Sequence, residues 1–166
     1  MNYPENVEEI RKFAKKINLD VKYLLGEKYE GTLHLSSVKS LPANIVFNVG
    51  DDLYLNYVKS LPDNIIFNVG GYLNLHSVKS LPDNIVFNVG GSLSLPSVRS
   101  LPDNIVFNVG GFLDLSSVKS LPDNIVFNVE GNLHLYSVES LPANVLFNVS
   151  RKIYLPTKHK VKVIWG

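Results

Sequence analysis

The chain has 166 residues, a formal net charge of +1, 45% hydrophobic and 19% charged residues, and no cysteine. That is about one domain with enough apolar material for a packed core, which argues against intrinsic disorder. The composition excludes disulfides, thiolate nucleophiles and thiolate metal sites, no apolar run nears the ~20 residues of a membrane span, and the near-neutral charge gives no reason to expect a nucleic-acid partner.

Residues 1–30 predict a helical N-terminal cap. Val7, Ile10, Phe13, Ala14 and Ile17 fall on one helical face, with Glu8, Glu9, Arg11, Lys12, Lys15 and Lys16 largely elsewhere. Pro4 suits the first turn, and Glu5, Glu8 and Glu9 suit its positive end. A second short helix is expected over Leu19 to Leu25, stopped by Gly26. The opening MNYPENVEEIRKF has no apolar stretch behind a basic end, so the expected location is the cytoplasm.

From Gly31 to Ser150 the chain consists of six copies of one 20-residue unit, without insertion or deletion. The third copy reads GYLNLHSVKSLPDNIVFNVG and the fourth GSLSLPSVRSLPDNIVFNVG. A fixed period of this kind means one structural unit stacked many times. Within a unit, Leu73 and Leu75 flank Asn74, and Ile85, Phe87 and Val89 flank Val86 and Asn88. Both stretches alternate as strands do. Pro82 recurs in every unit and marks one corner, because proline cannot donate to a ladder. Gly90-Gly91 marks a second corner, where a positive φ is expected.

Every unit keeps the same polarity, so successive strands cannot pair as hairpins. The simplest solution places Leu73 over Leu53 and under Leu93. The predicted fold is an all-β solenoid: a right-handed parallel β-helix of six 20-residue coils over residues 31–150. Spacing of ~4.8 Å per coil gives a rod on the order of 30 Å long.

Stacking turns each position of the unit into a file. Asn44, Asn64, Asn84, Asn104, Asn124 and Asn144 make one, and Asn48, Asn68, Asn88, Asn108, Asn128 and Asn148 another; both are expected to hydrogen-bond along the axis. Lys39, Lys59, Lys79, Arg99 and Lys119 lie four residues from Asp63, Asp83, Asp103 and Asp123, two surface files expected to neutralise each other. Val46, Ile66, Val86, Val106, Val126 and Leu146 should point outward, an apolar file that suggests a homodimer or another partner.

The strand that opens each coil differs from copy to copy. Its outward positions carry His34, Tyr54, Tyr72, Asn74, His76, Phe112, Asp114, His134, Tyr136 and Tyr154. This mixture of Tyr, His and Asn suits an adaptable binding surface, and these are the candidate partner-binding residues. The bland reading is drift on an unconstrained face.

Residues 151–166 form a degenerate seventh copy and a basic C-terminal cap. Ile153 and Leu155 keep the first apolar sites, after which the pattern decays where both corner glycines are gone. Lys160 and Lys162 alternate with Val161, Val163 and Trp165, as on a last strand guarded by lysines.

The LxLxxVxSLPxNI pattern resembles a shortened 20-residue leucine-rich repeat of the class ending in leucine-proline. The SLPxNIxFNVGGxLxL cadence over 31–150 is closer still to repeat arrays of bacteriophage and bacterial mobile-element proteins, and that resemblance implies a β-helix. The asparagine-centred LxxNxL stretch of ordinary leucine-rich repeats is missing, which favours a closed coil over an open horseshoe.

Catalysis has little support. His34 and His134 share a file but stand five coils apart, ~24 Å, too far for one metal. Asp51 and Asp52 are adjacent and point apart, so the paired-carboxylate chemistry of glycosidases has no evident site. No cofactor is expected. The sequence therefore predicts a non-enzymatic scaffold that binds a protein through its variable strand face. The phage-like cadence suggests an alternative, an inhibitor of a bacterial defence or host protein acting by occlusion. A passive or consensus-engineered rod is the third reading.

Overall fold

A computed structural model describes residues 4–156. The six units form six turns of a parallel β-solenoid. Each turn contributes one short and one long strand. The two-residue strands run from Leu33–His34 through Leu73–Asn74 to Ile153–Tyr154 and stack as a seven-stranded parallel sheet in sequence order. The four-residue strands run from Val46–Val49 to Leu146–Val149 and make a six-stranded parallel sheet. The register is the repeat itself: Leu73 pairs with Leu53 and Leu93, and Phe87 with Phe67 and Phe107.

The core follows from the alternation. Leu73, Leu75, Val78, Phe87 and their equivalents in the middle coils are fully buried, while in the Leu81 file Leu61 and Leu121 are buried and Leu41, Leu81, Leu101 and Leu141 only partly so. The phenylalanines stack with near-parallel rings down the axis, with centroids 5.7 Å apart from Phe47 to Phe127 and 5.4 Å between Phe127 and Phe147. Offset stacking of this kind adds to the stabilisation from burial alone.

The corners work differently from expectation. None of the glycines between the long and short strands from Gly50 to Gly131 has a positive φ. The left-handed backbone falls instead on Asn44, Asn64, Asn84, Asn104 and Asn124, with φ between 56° and 59°, directly after the proline corner. Asparagine tolerates this region better than other side chains. The glycines are there because coils touch backbone to backbone. A Cβ at Gly90 would stand 2.6 Å from the carbonyl oxygen of Gly70, and one at Gly91 2.6 Å from the carbonyl carbon of Gly71. The third side of the coil carries no strand, yet its backbone still reaches between turns: Arg99 N–H donates to Lys79 O at 3.4 Å and Glu139 N–H to Lys119 O at 2.9 Å.

At the N-terminus, Val7–Lys16 forms the amphipathic helix, burying Ile10 and Ala14. The second predicted helix is a single 3₁₀ turn, Val21–Leu24, capped by Asp20, and Gly26 follows at φ 100°. The cap blends into the solenoid, because Leu25 and Tyr29 bridge in parallel to Val46 and Val49. Asn6 continues the stack: its Oδ1 accepts from Asn44 Nδ2 at 2.9 Å and its Nδ2 donates to Ala43 O at 2.8 Å. At the other end, loss of both corner glycines does not stop the array. Ser150 N–H still donates to Val129 O at 2.9 Å, and Ile153–Tyr154 adds a strand to the short-strand sheet. The expected lysine-bearing last strand at 158–165 lies outside the described residues. No helix among the described residues is long and apolar enough to cross a membrane.

Candidate functional site

The short strands place every second side chain outward, and stacking brings side chains from different coils to van der Waals distance. His34 lies flat on Tyr54, with ring centroids 4.9 Å apart and planes 6° from parallel. Tyr54 meets Tyr72 edge-on at 5.9 Å. Tyr72 then reaches past the coil of Ser92 to Phe112, at 6.4 Å. Phe112 stacks on His134 at 6.1 Å, and His134 touches both Tyr136 and Tyr154. Seven of the ten residues singled out in the sequence thus join into one aromatic strip along the rod. Phe112 and Tyr136 are exposed, at 39% and 49%, and so is His34 at the start of the strip.

The gap in the middle of the strip has a sequence cause. Coil 91–110 carries Ser92 and Ser94 where its neighbours carry the larger Tyr72 and Asn74 on one side and Phe112 and Asp114 on the other. Ser94 is buried. The notch lets rings two coils apart close over it.

The strip is held by polar groups in alternate coils. Asp52 Oδ1 accepts from Tyr72 N–H at 2.7 Å, Ser92 Oγ from Phe112 N–H at 3.0 Å, and Asn132 Oδ1 from Lys152 N–H at 3.2 Å. The second Asp52 oxygen accepts from the Tyr54 hydroxyl at 3.2 Å. Partial burial, reinforced by the negative charge of Asp52, raises the pKa of that hydroxyl above its ordinary value of 10.0. Lys152 sits over the Tyr154 ring, 5.7 Å from its centroid.

The other three predicted residues stand apart from the strip. Asn74 Oδ1 accepts from His76 N–H at 3.0 Å, and Asp114 Oδ1 from Ser116 N–H at 3.0 Å and from the Ser116 hydroxyl. Both bend the chain out of the short strand, a local role of Asx turns. His76 is exposed and contributes no ring contact to the strip. Sequence reasoning missed Tyr57, the most exposed large hydrophobic side chain among the described residues at 61%, because serine fills every other copy of its file in the six units. It also missed Asp52 as the clamp between Tyr54 and Tyr72.

The remaining files are laid out on other faces. The outward positions of the long strands carry the apolar file, with Val86 39%, Val106 41% and Leu146 42% exposed. Beside it run the amides: Asn88, Asn128 and Asn148 each donate at 2.8 Å to the asparagine one coil earlier. The other amide file makes one such contact, Asn64 to Asn44 at 3.1 Å. The expected neutralisation of lysine by aspartate files does not take the form of ion pairs: among the described residues the only pair in those files joins Lys119 to Glu139 at 3.6 Å. Nor do the described residues group three or more His, Asp or Glu as metal ligands.

Comparison of the chain with protein-family models, curated proteins and solved structures gave no match.

Proposed function

We propose that the chain is a non-enzymatic scaffold that recognises a protein partner through the aromatic strip. The observation that carries this reading is the continuity of the strip. Side chains that differ from coil to coil in sequence still meet ring to ring along the rod, from His34 to Tyr154. Tyrosine and histidine offer large amphipathic area at low conformational cost, and the solenoid holds them rigid before binding. The diversity is greatest on this face, while the long-strand face repeats valine and asparagine almost unchanged.

The likeness of the cadence to phage and mobile-element arrays supports a narrower form of the reading. The partner is then a bacterial host or defence protein in the cytoplasm, and a rod this size acts on it by covering its surface. Replacing Tyr54, Tyr72, Phe112 and Tyr136 together by serine tests the general claim. The expected result is loss of a partner that the parent chain captures, with the circular dichroism spectrum unchanged. Retention of the partner by the serine variant would refute the strip as the site. Absence of any partner for the parent chain leaves a passive rod.

A further inference from the structure

The long-strand face is a second surface, independent of the aromatic strip. Its outward positions hold only two kinds of side chain: the file Val46, Ile66, Val86, Val106, Val126, Leu146, and the asparagine file two residues on. Neither file carries a charge. Both repeat at the coil spacing of ~4.8 Å, and the amides are held in rank by their own hydrogen bonds. A partner that matches this face must present apolar and amide groups at the same pitch. An extended peptide laid along the rod advances ~3.3 Å per residue and falls out of step. A second copy of the chain has the required pitch and the required files by construction.

The face is also self-complementary. A two-fold axis lying in the face and perpendicular to the rod sets valine file on valine file and asparagine file on asparagine file. That is what an isologous interface requires. Paired sheets with identical stacked side chains and amide ladders are the arrangement of a steric zipper. The absence of charge matters here, because a charged file would meet its own sign across the axis.

We infer that the protein self-associates as a two-fold dimer through the Val86 and Asn88 files. The face sets the strength. Four residues per strand and the five spacings between the six long strands give about 13 by 24 Å, roughly 300 Å² in projection on each copy. That is less than half of the ~800 Å² per partner of a standard interface, which places the dimer among weak, reversible associations.

Sedimentation equilibrium over the micromolar to millimolar range is the test. The expected mass rises with concentration from 18.5 kDa toward twice that value and no further. The double variant Val86→Lys, Val106→Lys should stay at the single-chain mass throughout, with an unchanged circular dichroism spectrum. The counterpart Val86→Glu, Val106→Glu should do the same, and a mixture of the two variants should regain the doubled mass. A parent chain that remains single at every concentration, association that survives the lysine pair, open-ended growth, or failure of the mixture to reassociate would each overturn the proposal.

Discussion

The Phe87 ring lies between those of Phe67 and Phe107, fully buried and stacked on both. Removing it opens a cavity that the repeating backbone on either side cannot collapse to fill. Phe87→Ala should therefore cost about 3–5 kcal/mol, read by denaturant unfolding. Asn104 carries a different constraint, a left-handed backbone at φ 58°. Asn104→Gly should be tolerated, whereas Asn104→Val should cost about 1–2 kcal/mol, since a branched side chain is strained there. Tyr54 supplies a pH dependence. Its hydroxyl has a raised pKa in the fold, so the protonated form is the one the fold favours. Its contribution is complete below the unfolded value of 10.0 and is lost as the pH climbs through the raised one. Above about pH 10 the stability of the parent should fall more steeply than that of Tyr54→Phe, in paired melts across that range.

At the scale of the element, each coil is one short and one long strand, a proline-asparagine corner and a glycine corner, and it makes its long-range contacts with the coils above and below. Excision of residues 71–90 should leave a folded rod one coil shorter, because the new neighbours present the same files. Cooperative melting of the deletion variant checks this; an unfolded product would mean that the coils are not interchangeable. The strands were legible in the sequence because Leu73, Leu75, Phe87 and Val89 alternate with polar or exposed positions. The glycine corner was legible as a place but not as a cause. A glycine doublet in one dimension reads as a turn needing positive φ, and only stacking reveals that the carbonyl of Gly70 occupies the space of a Gly90 side chain. The asparagine file hid the true left-handed position for the complementary reason, since an unbroken amide column is equally suited to a ladder.

For the whole molecule, the register of 20 residues converts columns of text into files in space, and the candidate site follows from it. His34, Tyr54 and Tyr154 could be placed on one outward file from the repeat alone. Their union with Tyr72, Phe112 and Tyr136 could not, because it depends on side-chain reach: Tyr72 and Phe112 belong to coils two apart and meet only over the notch at Ser92. Asp52 was likewise invisible as a clamp, since its two oxygens serve groups 2 and 20 residues away. The uniform face was easier to read, and its exposure follows directly from the inward Phe file beside it.

Cysteine pairs test the stacking most directly, because the chain has no native cysteine. Ser77, Ser97 and Ser117 occupy one partly exposed file on successive coils. Neighbouring coils put Cα atoms ~4.8 Å apart, inside disulfide range, and alternate coils ~9.6 Å apart, outside it. Ser77→Cys with Ser97→Cys should oxidise within one chain under mild conditions, and Ser77→Cys with Ser117→Cys should stay reduced. Rapid oxidation of the wider pair, or none in the nearer one, would contradict the in-register coil.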